Sequence, residues 1–188
     1  CETLDRIVQD YDVVIVTDYG HGMMSSEAVD LLAKKANFLA VNTQVNAGNQ
    51  AFNTISKYPR ADFVSISENE IRIDVRSKRR PLKEIVKKVS EKLGGAKIIV
   101  TRGVEGLMCY DSEEGFFEVP AFMGKTIDRV GAGDSVLAVS SLCAQQGISL
   151  KVIGLVGNAV GFQAVQTVGN KTSVDREALL RSLEHCLK

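Results

Sequence analysis

The string Asp128-Arg129-Val130-Gly131-Ala132-Gly133-Asp134 is the segment of this chain best suited to chemistry. It precedes a long apolar run, Val136 to Ala144, that reads as a helix. Small residues let a backbone approach a ligand closely. Successive amides at a helix start point outward, and the helix dipole favours an anion there. A carboxylate at the same turn opposes simple phosphate binding, because it repels the phosphate. It fits a different role, in which Asp134 accepts the proton of a hydroxyl as that hydroxyl attacks phosphorus. The amides of Gly131, Ala132 and Gly133 then hold the charge developing on the transferred group. The competing reading is a glycine-rich helix start with Asp134 as an amino-terminal capping aid. The string alone supports both equally, so its surroundings must decide.

Those surroundings alternate between strand and helix. Val13–Val16, Phe38–Val41, Phe63–Ile66 and Ile98–Val100 are short, apolar and β-branched or aromatic, as buried parallel strands are. Ser25 or Ser26 caps a helix carrying Ala28, Val29, Leu31, Leu32 and Ala36. Pro81 opens another, apolar at Leu82, Ile85, Val86, Val89 and Leu93, which stops at Gly94-Gly95. Leu107–Tyr110 and Phe116–Val119 are punctuated by Gly103, Gly106, Gly115 and Pro120 and read as antiparallel edge strands. The last third is helical: from Gly131–Asp134 to Gly147, from Leu150 to Val168, and after Ser173 through Leu179, Leu180, Leu183 and Leu187. The pattern predicts an α/β protein with a mostly parallel sheet covered on both faces. Such sheets hold ligands beyond the carboxyl ends of their strands. Asp18, Asn42, Ser67, Glu70 and Arg102 are expected there.

Asp-x-x-Gly-Ala-Gly-Asp before a helix resembles the signature of the ribokinase-like (pfkB) carbohydrate kinases. Further features agree in order and spacing. Thr101-Arg102-Gly103-Val104-Glu105-Gly106 resembles that family's Thr-x-Gly-x-x-Gly segment, and Ser67-Glu68-Asn69-Glu70 stands where the family has Asn-x-x-Glu. Asn158-Ala159-Val160-Gly161 resembles its adenine-side helix, and Val168-Gly169 the end of that helix. Val16-Thr17-Asp18-Tyr19-Gly20 through Gly22 looks most like the branch that phosphorylates heptose phosphates. The resemblance implies a three-layer α/β/α ribokinase-like (Rossmann-like) fold, with residues 1–188 forming the carboxyl-terminal part of a single kinase domain. It implies ATP as donor, Mg2+, and a sugar or sugar-phosphate hydroxyl as acceptor. By it, Asp134 is the base and the amides of Gly131, Ala132 and Gly133 form the anion hole. Thr101, Gly103, Gly106, Asn158 and Gly161 bind the nucleotide, Asp18 and Asp128 the acceptor, and Glu70 organises magnesium through water. A homodimer, and a nucleotidyltransferase domain fused in the parent protein, are the partners it implies.

Departures from the family pattern cluster. Ser67 replaces the Asn of Asn-x-x-Glu, and Val130 stands where a Thr usually precedes Gly-Ala-Gly-Asp. Asn42-Thr43-Gln44 replaces Asp-Pro-Lys, and His21 replaces a Lys before Gly22. Lost lysines remove phosphate-directed charge. A changed acceptor explains the pattern, and so does a kinase-like module that binds nucleotide without turnover; the retention of Asp134 and Glu70 favours the former. Arg102 reads equally as a phosphate partner or a structural ion pair. His21 and His185 read as loop and surface residues.

Bulk properties exclude several classes. The 188 residues carry 23 Lys+Arg against 23 Asp+Glu, so no net basic field draws the chain to nucleic acid or an anionic membrane. Cys1, Cys109, Cys143 and Cys186 lack CxxC spacing, which argues against structural zinc and fits a reducing cytoplasm. No secretory signal or membrane-spanning run is evident. The chain starts at Cys1 rather than Met, and the expectation is a fragment, inactive alone, whose amino-terminal sugar-binding and lid part is absent.

Overall fold

The computed structural model describes residues 1–49, 52–122, 124, 126–168 and 171–186. Helix α1 (Glu2–Ile7) leads to strand β1 (Val14–Asp18), then α2 (Ser26–Lys35), β2 (Leu39–Thr43), β3 (Phe63–Ser67), α3 (Glu68–Asp74), α4 (Leu82–Lys92), β4 (Lys97–Thr101), β5 (Leu107–Asp111) and β6 (Gly115–Val119). Three helices follow: α5 (Ala132–Gln145), α6 (Leu150–Ala164) and α7 (Arg176–Cys186). The strands form one sheet in sequence order, β1 to β6. β1 to β4 run parallel, and β5 and β6 return antiparallel, as expected from the glycine-punctuated segment.

The strand sequences explain why both faces are covered. Alternate residues of a strand point to opposite faces. Leu39, Val41, Val64, Ile66, Ile98 and Val100 enter one core with Val29 and Leu32 of α2 and Ile85, Val86 and Val89 of α4. The intervening Ala40, Phe63 and Ile99 enter a second core with Val136 and Leu137 of α5 and Leu150 and Ile153 of α6. Right-handed crossovers between neighbouring parallel strands put all their helices on one side. The other side is therefore left to α5 and α6, the two helices that carry the Gly-Ala-Gly-Asp and Asn-Ala-Val-Gly segments. The result is the three-layer α/β/α arrangement expected.

The structure differs from the sequence reading at several points. Asn42 lies inside β2, buried, rather than beyond its end; its Nδ2 donates to Ser65 O at 2.7 Å. Helix α6 stops at Ala164, short of Val168, and the Val165 carbonyl accepts from the amides of Ile127 and Asp128 at 2.8 and 3.1 Å. Helix α7 begins at Arg176, and Gly169 and Leu187 fall outside the described residues. Helices α1 and α3 were not foreseen. Ile71 is the sole buried residue of α3, too few apolar positions for a helical period.

Beyond β5, Asp111 fixes the hairpin turn. Its carboxylate accepts from the Glu113 and Glu114 amides at 2.7 and 3.1 Å and pairs with Lys97 Nζ at 3.2 Å. Burial pushes its pKa up, but those amides and Lys97 outweigh burial and hold it below the ordinary carboxylate value. A depressed folded-state pKa contributes stability above the unfolded value, lost as pH falls through the folded one. Asp111→Asn is expected to lose about 1 kcal/mol at pH 7, with the gap to wild type closing in acid, well below the ordinary carboxylate value of 3.8. Urea unfolding at pH 7 and in acid measures this, and a gap independent of pH contradicts it.

Candidate active site

The amino terminus of α5 is the pivot of the site. Gly131 caps it at φ +77°, a left-handed conformation that glycine adopts without penalty. Asp134, in the first turn, faces the loops after β1 and β2. Tyr19 Oη donates to Asp134 Oδ2 at 3.0 Å, and Gln44 Nε2 donates to Oδ1 at 3.2 Å. Burial, and then the Asp134 carboxylate it donates to, raise the Tyr19 phenol above its ordinary pKa.

The loops that present Tyr19 and Gln44 are braced by side-chain amides. Asn46 and Asn49 Nδ2 both donate to Tyr19 O, at 2.9 and 2.7 Å. Asn53 Nδ2 donates to Asp18 O at 2.8 Å and to Gln44 O at 3.2 Å. Gly20 makes this possible: at φ +72°, an added Cβ there would lie 2.1 Å from Asn49 Nδ2. Asp18 completes the brace from below. It is 2% exposed, accepts from Tyr58 Oη at 2.8 Å and the Gly20 amide at 3.0 Å, and is ion-paired to Lys57. Its carboxylate thus faces the protein interior rather than an open acceptor side.

On the other side of the α5 start lies a cleft of about 680 Å3, within the range of small-molecule sites. Thr101, Gly103, Gly106, Asn158 and Gly161, all expected at a nucleotide site, line it together with Ala132 and Gly133 of the expected anion hole and with Ser67, Phe122, Arg129 and Phe162. Asn158 is 7% exposed, and its Nδ2 donates to Pro120 O at 2.6 Å, tying α6 to the segment after β6. Asp128 is half-buried, and its Oδ1 accepts from the Val130 amide at 3.1 Å.

Glu70 is drawn into a reciprocal cap of α3. Ser67 Oγ accepts from the Glu70 amide at 3.3 Å, while Glu70 Oε2 accepts from Ser67 N and Oγ at 3.0 and 2.6 Å. Its Oε1 accepts from the Val45 amide at 3.3 Å. Ser-x-x-Glu is the signature of this cap, and that signal would have found α3. No group of three or more His, Cys, Asp and Glu able to hold a metal by itself occurs among the described residues.

Arg102 is committed to carboxylates. It pairs with Glu118 at 2.9 Å, with Glu105, and more distantly with Glu68 at 3.5 Å. The ion-pair reading of Arg102 therefore describes the structure. Tyr19, Gln44 and the bracing asparagines were not foreseen as site residues. Tyr19 and Gln44 stood in the sequence reading only within the Val16–Gly22 and Asn42–Gln44 strings, and nothing in the spacing of Asn46, Asn49 and Asn53 marks which carbonyl each amide meets.

A mostly parallel sheet flanked by helices, a glycine-lined cleft beyond the strand ends and a carboxylate in the first turn of the helix beside it define an α/β protein with a cleft of small-molecule size and an anion-suited helix start. The pfkB family carbohydrate kinase model matches residues 6–177, and the chain belongs to that family. It is 28% identical over 177 residues to the bifunctional protein HldE of Desulfatibacillum aliphaticivorans, covering 92% of this chain and 35% of that protein. It is 26% identical over 196 residues to bifunctional protein HldE of Campylobacter jejuni, covering 97% and 41%. The chain thus spans well under half the length of these curated relatives. Among solved structures, phosphofructokinase-2 from Escherichia coli in complex with potassium superposes with a TM-score of 0.81 at 16% identity, covering 100% of this chain and 62% of that one. Arabidopsis thaliana ribokinase complexed with ribose and ATP gives 0.78 at 17%, covering 98% and 59%. At such identities these two establish the ribokinase-like fold. No helix among the described residues is long and apolar enough to cross a membrane.

Proposed function

We propose that this chain carries the nucleotide site and catalytic base of an ATP-dependent sugar kinase. The observation that carries the reading is the α5 start: Ala132 and Gly133 line the cleft, while Asp134, one residue on, faces the loops after β1 and β2. In this reading the nucleotide lies along Thr101, Gly103, Gly106 and the α6 residues Asn158 and Gly161. Asp134 takes the proton of an acceptor hydroxyl while its oxygen attacks the terminal phosphorus and ADP leaves. The Gly131, Ala132 and Gly133 amides stabilise the charge on the transferred group. Magnesium would neutralise phosphate charge, with Glu70 as a partner through water. Asp128, at the start of the motif, is assigned to the acceptor. Asp18 is assigned to the brace behind the acceptor loop, since its carboxylate is already engaged by Tyr58, Lys57 and Gly20.

The chain covers 62% and 59% of two solved kinases, which supports reading it as part of one kinase domain; that this part is the carboxyl-terminal one, inactive without the rest, belongs to the proposal. The word bifunctional in the relatives' names supports a fused nucleotidyltransferase partner. A homodimer and a cytoplasmic location remain parts of the proposal drawn from the family alone.

A second reading, nucleotide binding without turnover, is favoured by one observation: both Asp134 oxygens already accept hydrogen bonds, from Tyr19 and Gln44. The deciding experiment is phosphoryl transfer from labelled ATP to a panel of sugars and sugar phosphates by the full-length parent, beside calorimetric ATP binding. Transfer establishes the kinase. Binding with no transfer to any acceptor establishes the second reading, and neither binding nor transfer removes both.

Tyr19→Phe tests the donors on Asp134. Tyr19 Oη holds Asp134 Oδ2 in place, and without it kcat/KM is expected to fall about five-fold, the equivalent of one hydrogen bond of about 1 kcal/mol. An unchanged kcat/KM shows that Tyr19 does not position the base.

A further inference from the structure

We infer that Arg129 is the phosphate-directed cation of this site, an inference that rests on the kinase reading. The family pattern supplies lysines near the acceptor and phosphates; here Gln44 and His21 stand in their places. Gln44 is turned onto Asp134, and His21 Nε2 lies 3.4 Å from Asn46 Nδ2. Two nearby cations among the described residues are committed elsewhere: Lys57 to Asp18, and Arg102 to Glu118, Glu105 and Glu68. Arg129 differs from both. It lines the cleft, its side chain has no ion-pair or hydrogen-bond partner among the described residues, and it is the one cationic side chain among the described lining residues.

Its place in the chain fits the role. Arg129 stands two residues before the Gly131 cap and lines the same cleft as Ala132 and Gly133 of the α5 start. The Ala132 amide lies 3.4 Å from Arg129 O, a long contact that a phosphate oxygen can replace. A guanidinium presents planar paired donors that match a phosphate, and stays charged across the pH range of an assay. It also offsets the repulsion that Asp134 imposes on an incoming phosphate. The positive charge that Gln44 and His21 do not bring from the loops after β1 and β2 is thereby supplied from the opposite side, by the catalytic loop itself.

The test is calorimetric binding of ATP, ADP and adenosine to wild type, Arg129→Ala and Arg129→Lys. Arg129→Ala is expected to weaken ATP and ADP about ten- to a hundred-fold, the usual effect of a charge-assisted contact, and to leave adenosine unchanged. Arg129→Lys should recover part of the loss, and the wild-type advantage for ATP should shrink as salt rises. Equal ATP affinity in wild type and Arg129→Ala overturns the assignment while leaving the kinase reading intact. So does an equal loss for ATP and adenosine, which marks a packing role. Wild type that binds none of the three overturns the nucleotide site itself, and Arg129's role with it.

Discussion

Asp134→Asn in the full-length parent is expected to lower kcat about a hundred- to ten-thousand-fold, the contribution of a positioned general base, while ATP affinity holds or rises. The isosteric amide keeps the volume of the side chain. Its Oδ1 still accepts one of the two hydrogen bonds, but its NH2 now meets the donor of the other, Tyr19 Oη or Gln44 Nε2. One hydrogen bond is lost, about 1 kcal/mol. Neutralising a carboxylate in the first turn of α5 removes a further favourable interaction with the helix dipole, about 0.3–1 kcal/mol. The variant should therefore stay folded, and a fall in kcat cannot be charged to unfolding. Nucleotide affinity moves the other way, because a negative charge beside the phosphates has gone. Turnover and calorimetry on one preparation decide it. A variant that keeps near-normal turnover removes Asp134 from the chemistry.

Gly106→Ala is expected to destabilise the protein by about 3–5 kcal/mol, the sum of backbone strain and overpacking. Gly106 has φ +86° and ψ −136°, a region that residues with a Cβ scarcely enter. The added carbon would lie 2.0 Å from Val119 O, 2.6 Å from Ala121 N and 2.7 Å from Pro120 C. All three atoms are backbone, so no rotamer relieves the clash. Displacing this segment also pulls Pro120 O from Asn158 and shifts Ala121 and Phe122 in the cleft wall. Gly103→Ala is the control: also left-handed, at φ +58°, but with nothing within 4 Å of the new Cβ. It should lose only about 1–2 kcal/mol. Urea denaturation of both, with ATP binding, checks the contrast, and equal stability of the two variants refutes the steric account.

The legible part of this protein was what repeats or alternates. Buried strands announce themselves because both faces are apolar, and residues such as Phe63 and Ile99 proved to face a different core from Val64 and Ile98. The glycine-rich loop and the Thr101–Gly106 segment were legible as short strings of small residues in fixed order, and they come together in the cleft. What stayed hidden depends on contacts between segments far apart in sequence. Tyr19 and Asp134 are separated by 115 positions. The inward turn of Asp18 depends on Tyr58, 40 positions on. Helix α3 was hidden for a local reason, since its cap was legible but its apolar period was not.

The strand order has a consequence for how the chain becomes a protein during synthesis. Because β1 to β6 lie side by side in the order they are made, each new strand can join the edge left by the last. Pairing of neighbouring segments closes short loops and favours fast folding. One face of the growing sheet is covered at once, by α2 and α4. The other waits. Ala40, Phe63 and Ile99 have no cover until α5 and α6 emerge from the ribosome. Until then the nascent chain presents an apolar sheet surface to chaperones or to other chains. The same late helices close the cleft and deliver Asp134, so the nucleotide site and the protection of that surface arrive together.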